Sequence, residues 1–180
     1  YDFEEIYVSY FSRMKCFACE YVLSEEDAEN IVQDVFTELW EKKELLTYNI
    51  NLVAFLFTSI KNRCIDHLRH NIVVREAVSQ MQEEYQITLK VKLASLELFD
   101  QSLLSEQDIE KIISEVINSL PDKCREIFIK SKIEGKKQKD IAVEMNISLK
   151  TVENQMNIAY KKLKSELKDY LPLLLFFLNN

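Results

Sequence analysis

Apolar residues return every three or four positions along most of this 180-residue chain, the spacing of helices that bury one face. The first such run covers residues 3–23, with Phe3, Ile6, Tyr7, Tyr10, Phe11, Met14, Phe17 and Ala18 on one side. Ser24 then has the character of an N-cap, with Asp27 three residues on as an acidic form of the capping box. The helix it starts carries Ala28, Ile31, Val32, Val35, Phe36, Leu39 and Trp40 on one face. Asn30, Gln33, Asp34, Thr37, Glu38 and Glu41 occupy the other. Residues 45–51 break the pattern and predict a loop. A third helix is expected over 52–70, burying Leu52, Phe55, Leu56, Ile60, Cys64, Ile65 and Leu68.

Between residues 71 and 104 the pattern blurs, yet Val73, Val74, Val78, Met81, Tyr85, Ile87, Leu89, Val91, Leu93, Leu96, Leu98 and Phe99 are too many apolar residues for a solvated tether. A linker with one or two short helices, docked partly on a domain, is expected. Clear spacing restarts over 105–120 with Ile109, Ile112, Ile113, Val116, Ile117 and Leu120. Pro121 suits the start of the next helix, where its missing N–H costs nothing. Cys124, Ile127, Phe128 and Ile133 form that helix's apolar side, and Gly135 marks its stop. Residues 137–145 predict a short helix that buries Ile141, Ala142 and Met145. The turn Asn146-Ile147-Ser148 follows. A longer helix then begins near Leu149, with Val152, Met156, Ala159, Tyr160, Leu163 and Leu167 inward. A short helix, a tight turn and a longer helix describe a helix-turn-helix.

Composition sharpens this picture. One Gly and two Pro leave few turns for hairpins, and 47% hydrophobic with 29% charged residues is a globular mixture, so the fold class is all-α. The net charge of −7 changes meaning once it is divided along the chain. Residues 121–168 hold twelve Lys/Arg against seven Asp/Glu, a surplus of +5, which leaves −12 for the remainder. Residues 20–44 hold nine acids against Lys42 and Lys43. The basic segment suits phosphate, and the acidic one suits a basic protein surface.

Two faces carry candidate chemistry. On the second helix of the helix-turn-helix, Ser148, Lys150, Thr151, Asn154 and Gln155 stand where base edges are read. Asn and Gln can pair with adenine, Lys with guanine and Thr with a thymine methyl. Lys161, Lys162 and Lys164, with Lys136, Lys137 and Lys139, suit phosphates. On the third helix Lys61, Asn62, Arg63, Asp66, His67, Arg69 and His70 form a polar face of the kind that contacts single-stranded or melted DNA.

At these residues the chain resembles the sigma-70 family of bacterial transcription initiation factors. The stretch DAENIVQDVFTELW over 27–40 resembles the helix of sigma region 2, and NLVAFLFTSIKNRCIDHLR over 51–69 resembles the promoter-melting helix that follows it. Residues 117–163, with LPDKCREIF, EGKKQKDIA and ISLKTVENQM, are similar to sigma region 4. With no region 3 domain between them, the resemblance is to the extracytoplasmic-function (ECF) group. It implies a region 2 domain over 1–71, a linker over 72–107, a region 4 domain over 108–170 and a hydrophobic tail over 171–180. It implies that Asn30, Gln33, Asp34 and Glu38 dock on the clamp helices of the polymerase β′ subunit, and that region 4 meets the flap of the β subunit. It further implies that Tyr48, Asn49 and Asn51 hold a flipped base of the −10 element, with Lys61, Asn62, Arg63, Asp66 and Arg69 beside the melted strand. Ser148, Lys150, Thr151, Asn154, Gln155, Lys161 and Lys162 then face the −35 element. An anti-sigma partner and a cytoplasmic location are implied as well. Asn146, where the family often has Gly, and Gln155-Met156, where a basic residue is common, depart from the pattern.

Other classes fit less well. A response-regulator type of helix-turn-helix protein matches residues 139–156 but needs an upstream domain with strands. No Gly-rich phosphate loop or Ser/His/Asp set suggests an enzyme, and no cofactor is expected. Cys16-x-x-Cys19 and Cys64-x-x-His67 have zinc spacing, but both pairs fall mid-helix, and free core thiols are the expected state. Residues 1–10, acidic and mixed, do not read as a signal peptide. Leu171 to Leu178 is far shorter than the roughly 20 residues a membrane span requires.

Overall fold

The computed structural model describes residues 3–78, 83–101 and 106–178, and among them there is no strand. The chain opens with α1 (Phe3–Val22), which ends where Leu23 turns left-handed at φ 52°. Ser24 then caps α2 (Glu25–Glu41): its hydroxyl accepts from the Asp27 N–H at 3.2 Å. The reciprocal half of the capping box is not made. The Ser24 N–H donates instead to the Val22 carbonyl, and the Asp27 carboxylate lies 3.6 Å from the His67 ring. Six of the seven apolar residues expected inward on α2 are buried. Trp40 is not: it is 55% exposed, its ring set edge-on against Phe3 at 5.0 Å at the rim of the core.

A single 3-10 turn (Lys43–Leu45) leads to α3 (Ile50–Val78), which starts earlier and runs further than the apolar spacing predicts. The early start has a local cause. The Asn49 side-chain oxygen accepts from the Leu52 N–H at 2.8 Å, an N-cap that places Asn51 in the first helical turn rather than in the loop. From Leu52 to Phe57 every residue of α3 is buried, as a helix covered on all sides must be. Helices α1, α2, α4 (Glu83–Gln101) and α5 (Glu106–Asn118) all pack on it. The linker segment is therefore largely helical. Leu89 and Leu96 of α4 are buried, and the Lys92 ammonium donates to the Glu20 carbonyl at the end of α1.

After α5 the Arg125 guanidinium reaches back to the carbonyls of Ile117, Asn118 and Leu120, closing the corner at Pro121. Helix α6 (Asp122–Phe128) continues into a π-helical turn (Ile129–Ile133), ended by Gly135 at φ +69°. Helices α7 (Gln138–Glu144) and α8 (Leu149–Glu166) complete a second bundle around Cys124, Ile127, Phe128, Ile141, Val152, Met156 and Ala159. Met145, expected inward, is only half-buried.

The last helix, α9 (Leu171–Leu178), is apolar all round and joins the two bundles. Phe176 lies edge-to-face on Phe17 at 5.8 Å and on Phe57 at 5.5 Å, while Phe177 meets Phe128 at 5.8 Å. Nearby, the Tyr10 hydroxyl donates to the Ile133 carbonyl, and Arg13 donates to the Lys132 carbonyl at 2.7 Å. No described helix is long and apolar enough to cross a membrane.

Lys132 is 2% exposed, over the Tyr160 ring and beside Arg13. Burial, and secondarily the Arg13 charge, push its ammonium from 10.5 down to about 7. The folded chain therefore releases a proton that the unfolded chain keeps between about pH 7 and 10.5. Stability should rise with pH across that window, with a slope of up to about 1.4 kcal/mol per pH unit, and be penalised in full below it. Urea unfolding of Lys132→Met should show higher stability at pH 7 and a flattened rise toward pH 10. A variant with the parent's slope would remove Lys132 as its source.

Candidate nucleic-acid interface

Helices α7 and α8 meet across a turn in which Asn146 takes φ 51°, a conformation Asn tolerates without a glycine. Ser148 caps α8 by accepting from the Thr151 N–H at 3.0 Å, and its hydroxyl also meets the Thr151 hydroxyl at 2.8 Å. The first turns of α8 thus present Ser148, Lys150 and Asn154 to solvent, with Thr151 and Gln155 half-buried at the edge of the same face. Lys161 is exposed, and Lys162 pairs with Glu166 at 2.8 Å. Lys150 pairs with Glu153 at 3.3 Å. Solvated pairs of this kind are worth roughly 0–1 kcal/mol, so a phosphate can displace the carboxylate readily. Lys136 is engaged more firmly: with Lys130 it grips Glu144, whose carboxyl is held down to about 2 by hydrogen bonds from those two ammonium groups.

The second face lies on α3. Asn62, Asp66 and Arg69 are exposed and Arg63 is half-buried, so these four form one stripe. Lys61 does not join it. At helical spacing from Phe57, Cys64 and Leu68 it falls on the apolar side of α3, and it is 3% exposed. Residue type alone groups Lys61 with its charged neighbours, and only its angle around the helix separates it from them.

On α2, Asn30, Gln33 and Asp34 are exposed and Glu38 is half-buried. Arg63 reaches across from α3 to both acids, 3.3 Å from Asp34 and 3.4 Å from Glu38. Two faces that the sequence treats separately are therefore edges of one surface.

The loop residues are already occupied. Tyr48 is half-buried, stacked on the Tyr10 ring and hydrogen-bonded to the Ser9 hydroxyl at 3.0 Å. Asn49 caps α3. The Asn51 amide, with its nitrogen toward α5, donates to the Glu110 carboxylate at 3.0 Å. Arg69 is likewise met by Glu97 of α4, at 2.8 and 2.9 Å. No local signal in the sequence marks these two carboxylates, since both lie far along the chain from the groups they meet. Beside Tyr48 lies a cleft of about 710 Å³ that Glu4, Glu5 and Glu134 also line. Lys136 lines it too and pairs with Glu134 at 3.1 Å, so the cleft is net acidic and ill-suited to a phosphate backbone.

Cys19 lies close enough to both Cys16 and Cys64 for their charges to interact, and all three are free thiols. Cys16 and Cys19 are exposed on α1, whereas Cys64 is buried and its thiol is pushed up to about 12 by burial. Among the described residues no three His, Cys, Asp or Glu side chains converge as a metal ion would need.

Comparison with known families agrees with this organisation. The family described as Sigma-70 region 2 matches residues 6–71, and Sigma-70, region 4 matches residues 110–163. The two matches together span two thirds of the chain, and both candidate faces fall inside them. No curated protein matches the chain. The upstream half, where a response regulator would carry a domain with strands, is the helical region 2 match instead.

The geometry of Asn49 changes what its substitution should do. Asn49→Ala removes a helix cap and should lower stability by about 1 kcal/mol, whereas Asn49→Asp should retain it. Asn51→Ala, whose exposed side chain caps nothing, should stay within about 0.5 kcal/mol of the parent. Urea midpoints of the three variants provide the check. An Asn49→Ala midpoint equal to the parent's would show that the cap contributes nothing.

Proposed function

The chain belongs to the sigma-70 family of RNA polymerase sigma factors, and we propose that it is an ECF-type factor that directs promoter-specific initiation. The observation that carries this reading is the pairing of a region 2 match with a region 4 match across only residues 72–109, whose described residues are helical.

In this reading Asn30, Gln33, Asp34 and Glu38 of α2 dock on the clamp helices of the β′ subunit. Region 4 rests on the β flap, so that α8 faces the −35 element. The stripe Asn62, Arg63, Asp66 and Arg69 follows the melted −10 strand. Tyr48, Asn49 and Asn51 take the extruded base, which requires that they first leave their present partners. Arg63 is the hinge of the scheme. It ties the polymerase face to the DNA face, so that docking on the β′ subunit alters the charge the DNA meets. The chain acts by binding rather than by catalysis, in the cytoplasm, and an anti-sigma factor is its expected regulator. Acidity on α2 and the basic surplus over residues 121–168 support this division of partners.

Run-off transcription with core polymerase across a promoter library tests the reading as a whole. Initiation at a restricted promoter set is the expected result, and no chain-dependent initiation at any promoter would end it. Asp34→Lys, at a residue 65% exposed, should weaken co-elution with core enzyme while leaving the circular dichroism spectrum unchanged. Unimpaired co-elution of that variant would remove α2 from the docking surface.

Groove reading is tested separately. Asn154→Ala and Gln155→Ala should relax preference at single base pairs, each by about 1–3 kcal/mol. Lys161→Ala and Lys162→Ala should weaken matched and mismatched sites equally, each reducing the salt slope by about one unit. Identical effects of all four on both kinds of site would place α8 outside the groove.

A further inference from the structure

Between α1 and the π-helical turn lies a cavity of about 360 Å³, a volume at the lower end of small-molecule sites. Four cationic side chains line it: Arg13 from α1, Lys132 from the π-helical turn, and Lys136 and Lys137 just beyond. None of the described residues that line it is acidic. Lys136 already shares its charge with Glu134 and Glu144, and Lys137 is exposed. Arg13 sets the character of the place. It is 5% exposed, its guanidinium lies 5.0 Å from the centre of the Tyr10 ring, and the Lys132 carbonyl accepts one of its five N–H donors. Among the described residues no carboxylate pairs with it. A guanidinium keeps its charge when buried, and a buried charge without a counter-charge is costly.

The rest of the lining suits an oxyanion. Ser9, Ser12 and Ser131 bring hydroxyl donors to the same cavity. A guanidinium fork and ammonium point charges are the groups that hold phosphate best. The backbone of a duplex stays outside, because Arg13 and Lys132, at 5% and 2% exposed, lie below the surface. The cavity also runs into the cleft of about 710 Å³ beside Tyr48, since Ser9, Gly135 and Lys136 line both. Gly135 keeps the junction close: a Cβ there would lie 2.5 Å from the Ser9 Cβ. The far end has the opposite character, with Glu4, Glu5 and the Tyr48 ring. One ligand chemistry satisfies both ends, a phosphate joined to an aromatic ring that carries amino donors.

We propose that this space binds a nucleotide, its phosphate held by Arg13 and Lys132 and its base set toward Tyr48, Glu4 and Glu5. Arg13 supplies the planar fork, Lys132 and Lys137 the point charges, and the serine hydroxyls further donors. The carboxylates accept from exocyclic amino groups, which favours bases that carry one. The site does not rest on the sigma-factor reading, because Arg13, Lys132 and the three serines lie outside the groups assigned there to DNA. Lys132 makes binding depend on pH. With Arg13 of α1 beside it and the Tyr160 ring of α8 under it, its ammonium titrates at about 7 and is only partly charged at neutral pH. An anion in the cavity favours the charged form, so binding takes up a proton and weakens as the pH rises above 7.

Isothermal titration calorimetry of the full chain tests the site with three probes: sulfate, ribose 5-phosphate and adenosine monophosphate. The parent should bind all three, and adenosine monophosphate about tenfold more tightly than ribose 5-phosphate, the scale of one base stacked on an aromatic ring. Sulfate keeps its charge near neutral pH, so any loss of its affinity above pH 7 belongs to the protein. Lys132→Met, expected to be the more stable chain at pH 7, should weaken every probe about tenfold and abolish that loss. Lys137→Ala, at an exposed residue that threatens no packing, should weaken them about threefold. Tyr48→Leu should bring adenosine monophosphate down to ribose 5-phosphate and leave sulfate unchanged. No binding of any probe, or sulfate binding that both lysine variants leave intact, would overturn the site. Equal affinity of the parent for the two phosphate esters would overturn the nucleotide and reduce the ligand to its phosphate. Displacement of adenosine monophosphate by a short duplex would assign the cavity to the DNA backbone instead.

Discussion

The carbonyls of Lys132 and Ile133 close the π-helical turn, and the last carbonyls of any helical segment lack donors within it. Here the donors come from α1, where Tyr10 and Arg13 stand three residues apart and are themselves buried. A buried hydroxyl or guanidinium without an acceptor is costly, and so is a buried carbonyl without a donor, so each side of the pairing requires the other. This exchange sets the register of the second bundle on α1. Gly135 then falls opposite Ser9, and α9 is brought over Phe17 and Phe57. Arg13 serves twice, since its charge beside Lys132 also adds to the effect of burial in depressing that ammonium.

Around the seam, the groups with chemistry to offer are held in contacts that are individually weak. Lys150 and Lys162 pair with carboxylates on their own helix, Arg63 with Asp34 and Glu38, and Arg69 with Glu97. None of these pairs is deeply buried, so each exchanges its carboxylate for a phosphate at small cost. What distinguishes them is range. The lysine pairs on α8 are local and survive any movement of the bundles, whereas those of Arg69 and Asn51 depend on α4 and α5 lying across α3. The face proposed to read bases is thus built within one small bundle. The face proposed to hold the melted strand is conditional on how α4 and α5 lie on α3.

Much of this protein can be read from its residues. Helical periodicity places α1, α2, α5, α6, α7 and α8 to within a few residues, because each buries one face within its own bundle and so shows the 3.6-residue pattern. Ser24 is legible as a cap, and Asn146 as the turn residue, because short-range backbone chemistry decides them. The motifs over 27–40, 51–69 and 117–163 are enough to suggest the family that the comparisons match. The pattern fails where a helix is surrounded. Helix α3 is buried on all sides near its start, and although its beginning is legible to within about two residues, its run to Val78 is not. Trp40 and Lys61 exchange places for a related reason: at the ends and edges of a packed helix, angle and neighbours outrank residue type.

By itself, then, the sequence determined the all-helical class and the order of the two regions, since those depend on spacing along one helix. It left open where the apolar residues 171–178 pack. Only the tertiary structure decided where, and which of the candidate DNA-contact groups are already held by other side chains. Glu97, Glu110, Gly135 and Phe176 act on residues 28 to 159 positions away. Such pairings leave no periodic trace in the chain, because they are selected by how whole helices pack rather than by what any one helix needs.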